Sequence, residues 1–331
     1  MEYFNEYKGK SVLITGGAGC IGSNLTKGLL KAGVSKVVIL DDLSASQRWN
    51  IPTDPRVYLV VGSVADDGAL QESFREAIDY VFHLAAHFAN QNSVDYPDED
   101  LETNGLGTLK VLQQSLKKGI KRFVYASSGC SVYGSQAPLP LKEDYMSLYL
   151  DTPYQIHKLL GELYCNYFYN YYGLPVAIAR YFNVYGGGEI PGAYRNVIPN
   201  FTWGALHGQP LIITGTGKET RDFTFVDDIV DGTMRLGVMV EAIGDAFNLA
   251  SGVETDILSV AHMVNAITEN EEGIRFADKR DWDKITRRRA SIEKAKSILG
   301  YNPQTKIQDG IRVVYDWIVA NQVNIERDAR F

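Results

Sequence analysis

The first apolar run of the chain, Ser11–Thr15, leads directly into Gly16-Gly17-Ala18-Gly19-Cys20-Ile21-Gly22. Gly17, Gly19 and Gly22 satisfy a G-x-G-x-x-G spacing, and Gly16, Gly19 and Gly22 satisfy G-x-x-G-x-x-G. Between a strand and a helix, such a turn does one kind of chemistry. One glycine permits the tight turn, one lets a pyrophosphate approach the backbone, and one lets the helix pack against the strand. The free N–H groups of the helix N-terminus then face the phosphates. The next apolar run ends at Asp41, 19 residues beyond Gly22. A carboxylate there accepts the two ribose hydroxyls of a dinucleotide and repels a 2′-phosphate, so the spacing predicts NAD rather than NADP.

A second pair carries different chemistry. Tyr154 and Lys158 are four apart in a helical pattern over 153–172 and share one face. A tyrosine hydroxyl ordinarily titrates near pH 10. To work as a base at neutral pH its pKa must fall by about three, which is roughly 4 kcal/mol. A neighbouring ammonium and a positively charged nicotinamide ring both favour the phenolate. Lys158 is also placed to bind the nicotinamide ribose.

These residues need a scaffold of alternating elements, and the sequence supplies one. Continuous apolar runs at 11–15, 36–40, 57–61, 80–85, 122–127 and 175–180 predict strands buried on both faces. Helical patterns near 21–32, 66–76, 98–117 and 153–172 separate them. The alternation predicts an α/β, Rossmann-type doubly wound parallel sheet. Residues 184–220, rich in Gly and Pro, read as loops over a site. AFNLAS at 246–251 reads as one more strand, with helices near 256–269, 291–299 and 308–320 after it. The expected division is discontinuous: 1–183 with 227–251 as an NAD-binding domain, and 184–226 with 252–320 as a smaller substrate lobe.

Composition narrows the classes. The 331 residues are 45% apolar and 22% charged, with a net charge of −7, so a duplex-binding protein is a poor expectation. There is no run of 18 apolar residues and no apolar core of a signal peptide ahead of the first strand. Cys20, Cys130 and Cys165 form no CxxC pair, and the five histidines lack metal-ligand spacing. No metal site is expected, and the sparse thiols fit a reducing cytoplasm.

Taken together, TGGAGCIG (15–22), LDDLS (40–44), HLAA (83–86), TNGLGT (103–108), SSGCSVYG (127–134), PYQIHK (153–158), RYFNVYG (180–186), RDFTFVDDI (221–229) and FNLASG (247–252) make the chain resemble a known group. It is similar to the extended short-chain dehydrogenase/reductase superfamily, and within it to the NAD-dependent nucleotide-sugar epimerase/dehydratase family, the UDP-glucose 4-epimerase-like group. The resemblance implies that Gly16, Gly19, Cys20, Ile21 and Gly22 hold the pyrophosphate. It places Asp41 on the adenosine ribose, with Asp42 and Ser44 beside it. Ser63 and Val64 fall at the adenine edge, where many relatives carry Asp. Leu84, Ala85 and Ala86 line the cofactor, with Asn104 and Tyr181 near it. Tyr154 and Lys158 are the implied catalytic pair, and Asn183, Arg221 and Arg280 the implied contacts to a sugar-nucleotide diphosphate. One of Arg287, Arg288 or Arg289 joins them or belongs to a solvated basic face.

The chain departs from the family pattern at one catalytic position. The family's Ser or Thr, three residues before the Val of VYG, is Gly129 here, so Ser128, Cys130 or Ser131 must carry the proton if one is relayed. The dehydratases' Asp-Glu pair is replaced by Cys130-Ser131, and the decarboxylases' Glu by Ser131. His157 stands where many relatives have Ser. The expected activity is therefore an NAD-dependent nucleotide-sugar 4-epimerase of the UDP-hexose class, passing through a transient 4-keto sugar. The alternatives are a 4,6-dehydratase, decarboxylase or C4 dehydrogenase on the same scaffold, or a non-catalytic nucleotide-binding protein. Two apolar faces on the 153–172 helix predict a homodimer through the 98–117 and 153–172 helices.

Overall fold

The computed structural model describes residues 2–331. Its centre is a parallel sheet built from β1 (Ser11–Thr15), β2 (Lys36–Asp41), β3 (Val57–Val61), β4 (Tyr80–His83), β5 (Arg122–Ser128) and β6 (Val176–Tyr181). Shorter strands follow: β7 (Val184–Tyr185), β8 (Leu211–Thr214), β9 (Thr220–Asp222), β10 (Thr224–Phe225) and β11 (Ala246–Leu249). The sheet has seven strands in the order β11-β6-β5-β4-β1-β2-β3. The apolar runs are continuous because both faces are covered: Val12, Leu13 and Ile14 of β1 and Val81 and Phe82 of β4 are all fully buried. The strand AFNLAS joins this sheet as β11, in parallel register with β6.

Strand order reverses at β1, which pairs with β2 on one side and β4 on the other. In a doubly wound sheet this switch point opens a crevice at the carboxyl ends of the strands. Thr15 and His83 therefore end at the floor of a ready-made binding crevice.

Helices cover the two faces. On one side α1 (Cys20–Lys31) lies against a later helix (Val226–Val238), where Gly28 admits Met234 and Val230. On the other side, after α2 (Asp67–Ser73), α3 (Asn90–Asp95) and α4 (Pro97–Asp100), come α5 (Thr108–Lys118) and α6 (Pro153–Tyr172). They bury Val111, Leu112, Cys165 and Phe168 against the sheet. The helix expected over 98–117 is not continuous: Leu101–Gly107 is π-helical. The wider turn carries Asn104, whose amide brackets the loop after β4, accepting from His87 N (3.0 Å) and donating to His87 O (3.1 Å).

Composition predicts loops throughout 184–220, but α7 (Val197–Leu206) forms there, burying Ile198, Phe201 and Trp203. Pro199 masks the pattern, yet it sits in the first turn, where a missing N–H costs nothing. Beside α7, β8 pairs in parallel with a strand at Ile274–Ala277, while β9 pairs antiparallel with Glu254–Asp256.

Candidate active site

The glycine turn shows why each glycine is needed. A Cβ on Gly22 would stand 2.4 Å from Gly16 O, and one on Gly16, at φ +70°, would stand 2.7 Å from Ala85 N. These two keep the turn and the loop after β4 in close contact. Gly19 is different: its Cβ position meets only Gly16 O, at 3.5 Å, so space remains above it. Gly19 is also the N-cap of α1 and makes no side-chain cap, and the first turn has no acidic residue. The N–H groups of Cys20, Ile21 and Gly22 are thus left for an anion. A pyrophosphate fits this cradle.

Asp41 is 8% exposed, and its carboxylate is already engaged. It accepts from Ala18 N (2.9 Å), Leu43 N (2.9 Å) and Ser46 Oγ (2.8 Å). Burial nevertheless pushes its pKa up. A carboxylate has about four lone-pair sites, so little acceptor capacity remains, all of it on the side of the glycine turn. Asp42 caps the same loop by accepting from Ser44 N and Oγ, and both residues are exposed. Ser63 closes a small turn by accepting from Ala65 N (3.1 Å), and Val64 is buried against Gly107.

Past the turn, Leu84, Ala85 and Ala86 are half-buried along the crevice. Ala85 N donates to Thr15 Oγ1 at 3.2 Å. His83 lies between Thr15 Oγ1 (2.7 Å) and Thr108 Oγ1 (2.9 Å), and burial pushes its pKa down to about 3. It is a neutral strut between β1, β4 and α5.

Tyr154 and Lys158 project from the first two turns of α6, both buried. Thr152 caps that helix by accepting from Gln155 N, and Pro153 takes the first helical position. Lys158 Nζ donates to Ala126 O at 2.9 Å and stands 5.7 Å from the centre of the Tyr154 ring. Burial moves the two groups in opposite directions: the Tyr154 phenol well up, the Lys158 ammonium down to about 8. Asp100 and Cys130 oppose ionisation of the tyrosine, while Ser128 favours it.

The turn after β5 answers the question raised by Gly129. Of the three candidate side chains, Ser128 is the one that favours the ionised form of Tyr154. Cys130 Sγ donates instead to Asn183 Oδ1 at 3.2 Å, and the Ser131 hydroxyl is fully enclosed without a hydrogen-bond partner. A Cβ on Gly129 would lie 2.0 Å from the Phe182 ring. Phe182 fills the space where the family's hydroxyl would sit. Gly129→Ser is therefore expected to lower both turnover and thermal stability. A variant with wild-type turnover and melting temperature would contradict this packing.

The remaining expected residues divide. Asn183 lies in the turn between β6 and β7, held at φ +30°. Arg221 is half-buried and paired with Asp283 at 3.1 Å, whereas Arg280 is exposed. The Tyr181 hydroxyl shares a hydrogen bond with Thr233 Oγ1 at 2.8 Å, so its side chain packs toward the 226–238 helix and leaves only its backbone for a ligand. Sequence reasoning missed the support beneath the site. Glu162 of α6 receives Arg180 through Nε (3.0 Å) and Nη2 (2.8 Å), and Ser127 Oγ (2.5 Å). Arg180 continues to Tyr133 OH, which donates to Asn248 Oδ1. Asp100 likewise joins His157 (2.5 Å) and Asn104 (2.9 Å). Among the described residues no cluster of His, Cys, Asp and Glu could hold a metal.

The family model of the NAD dependent epimerase/dehydratase family matches residues 12–250. The chain belongs to this family. It is similar in structure to the epimerase Mth375 of Methanothermobacter thermautotrophicus, with a TM-score of 0.99 and 53% identity over 100% of this chain and 98% of that one. It is 36% identical to the UDP-glucose 4-epimerase of Mycolicibacterium smegmatis, over 90% of this chain and 95% of the relative. It is 33% identical to the UDP-N-acetyl-alpha-D-glucosaminuronate decarboxylase of Bacillus cytotoxicus, over 93% of this chain and 97% of the relative.

Proposed function

We propose that this protein is an NAD-dependent nucleotide-sugar 4-epimerase of the UDP-hexose class. The observation that carries the reading is the convergence of Tyr154, Lys158 and Ser128 at the crevice whose other end is the glycine cradle. Bound NAD supplies the acceptor, and later the donor, of the sugar's C4 hydride. The chain's own residues supply the proton chemistry. Tyr154 takes the proton of the 4-hydroxyl, and Lys158 and the cationic ring offset the burial that holds the phenol in its neutral form. Ser128 takes the place of the hydroxyl that Gly129 lacks. The resulting 4-keto sugar turns about its diphosphate to present its other face, and Tyr154 returns the proton to the C4 oxygen.

The NAD site comprises Gly16, Gly19, Cys20, Ile21, Gly22, Asp41, Leu84, Ala85, Ala86, Asn104, Tyr154 and Lys158. Residues 1–183 with 227–251 form the cofactor domain. Residues 184–226 with 252–320, including Arg221 and Arg280, form the nucleotide-sugar lobe, with Asn183 at the junction. Incubation with a UDP-hexose and no added cofactor is expected to yield the C4 epimer. An accumulating keto sugar, carbon dioxide or net reduced cofactor would favour the dehydratase, decarboxylase or dehydrogenase alternatives.

Asp41→Ala is expected to weaken NAD binding and narrow the preference over NADP. Because the same carboxylate holds Ala18, Leu43 and Ser46, the 42–46 loop should loosen as well. Titration of wild type and variant with both dinucleotides checks this, and equal wild-type affinities would contradict it.

No described helix is long and apolar enough to cross a membrane. The free thiols suit a reducing cytoplasm, and no nucleic-acid partner is expected. The assembly is a homodimer. On α6, Ile156 (50%), Leu163 (51%) and Tyr167 (48%) are about half exposed, beside Leu101 and Leu106 of the π-helical stretch. Such a continuous apolar face needs a cover, and a second copy of the same two helices provides one. Sedimentation should give a dimer for the wild type and a monomer for Leu163→Glu; a wild-type monomer at micromolar concentration would refute the assembly.

A further inference from the structure

Arg288 is 2% exposed, yet no described carboxylate lies within ion-pair distance of its guanidinium. The other arginines of its neighbourhood are neutralised: Arg221 pairs with Asp283, and Arg287 with Glu254. Arg288 has only carbonyl partners. Nη2 donates to Cys130 O at 2.7 Å and Nη1 to Gly129 O at 3.4 Å. Two neutral acceptors leave part of the guanidinium fork unspent and its charge without a directly paired carboxylate.

A buried charge without a counter-charge is strongly unfavourable. The titratable and charged groups facing Arg288 are the Cys130 thiol, Arg221, Asp283 and Asp151. Asp283 is committed to Arg221, and Asp151, which lies 3.6 Å from Lys284, does not come within ion-pair distance of Arg288. Arg288 is thus built to receive an anion from outside the chain. Its position says which part of the ligand that is. The carbonyls it holds belong to the two residues after Ser128, at the end of the crevice where Tyr154 addresses C4. The diphosphate is attached across the ring, at C1. Near C4 the exocyclic carbon able to carry a carboxylate is C6.

We propose that Arg288 makes the enzyme selective for a nucleotide uronate, by receiving the C6 carboxylate of the sugar on its unspent N–H groups. The inference rests on the C4-epimerase reading and deepens it. It also gives Arg288 a second effect. Oxidation at C4 of a uronate makes a β-keto acid. Carbon dioxide leaves such an acid when the C5–C6 bond breaks, its electron pair forming an enolate on the C4 oxygen, and C5 then takes a proton. The negative charge moves off the carboxylate in that step. An ion pair that stabilises the carboxylate therefore opposes the loss. The Ser131 hydroxyl, enclosed and without a hydrogen-bond partner, is not a carboxylic acid that could deliver the proton C5 needs after that loss. A uronate is inverted here rather than decarboxylated.

The test uses NAD-loaded wild type and Arg288→Met, with UDP, UDP-glucose and UDP-glucuronate. Wild type is expected to prefer UDP-glucuronate by kcat/KM and to return it as its C4 epimer. Arg288→Met should lose roughly a hundredfold in kcat/KM and in affinity for UDP-glucuronate, with little change for UDP-glucose or UDP. Part of its product should be a nucleotide pentose, lighter by carbon dioxide. Equal losses on both sugars would make Arg288 a support of the 129–130 turn and overturn the proposal. A parallel loss of UDP affinity would make it a diphosphate ligand and also overturn it. Wild-type turnover of UDP-glucose in preference to UDP-glucuronate would overturn it while leaving the epimerase reading intact; turnover of neither sugar would refute the epimerase reading. If Arg288→Met does not fold, the wild-type substrate preference decides, and Arg288→Lys, which keeps the charge but not the fork, should retain the preference at lower affinity.

Discussion

Tyr154→Phe is expected to keep NAD and sugar nucleotide bound while turnover falls about 10²–10⁴-fold, the range that general-base help supplies. The substitution removes one hydroxyl from a ring already seated against Phe88, so packing is retained. What disappears is a phenol that lies beside the Lys158 ammonium and whose ionisation Ser128 favours. The pH profile carries independent information. Burial has pushed the Lys158 ammonium down to about 8. The charged lysine, which favours the phenolate, is present below that pH and is lost as pH rises through it. Wild-type turnover should therefore fall on the alkaline side near pH 8. Lys158→Met should lack that limb, run slowly throughout, and bind NAD more weakly. Normal turnover in Tyr154→Phe would overturn the assignment of the base.

The second large effect is on stability. Glu162 and Arg180 are 1% and 2% exposed and meet through two parallel hydrogen bonds. Removing one partner of such a pair strands the other charge in the core, at a cost of about 3–5 kcal/mol. Glu162→Ala is expected to lower the unfolding free energy by that much. Ser127 should also lose its acceptor at the end of β5, next to Ser128. Replacing both partners with apolar residues of similar volume should recover most of the stability, because the penalty belongs to the unpaired charge rather than to the missing bridge. Denaturant titration of the single and double variants checks this. A Glu162→Ala midpoint within error of wild type would show that the pair contributes nothing.

The parts legible in the sequence are those written in local periodicity and in fixed spacing. The sheet strands are readable because each is a short, unbroken apolar run, and the cofactor turn because its glycines recur at intervals that suit a strand–turn–helix. Tyr154 and Lys158 are readable because helix geometry alone puts residues four apart on one face. The unreadable parts join residues far apart in the chain. Glu162 looks like any helix-surface acid until Arg180, 18 residues away, is brought under it by β6. His157 and Asp100 are 57 residues apart and meet at 2.5 Å. Gly129 reads as a missing hydroxyl, but the reason for the glycine is the Phe182 ring, supplied by the neighbouring strand's end. The π-helical stretch is hidden because its composition is that of an ordinary helix. Tyr181, which its motif marks as a cofactor residue, turns its hydroxyl to Thr233 because α/β packing against the 226–238 helix fixes its side chain.

The central claim is that the C4 hydrogen leaves and returns within one enzyme molecule while Tyr154 handles the hydroxyl proton. The direct test is turnover of a nucleotide sugar carrying deuterium at C4, in ordinary water, with the protein's own bound cofactor. Magnetic resonance and mass spectrometry of the product should show inverted configuration at C4 with the deuterium still there, and no deuterium there when the labels of substrate and solvent are exchanged. Product that has lost its C4 deuterium to solvent, or inverted product without retained label, would contradict the account.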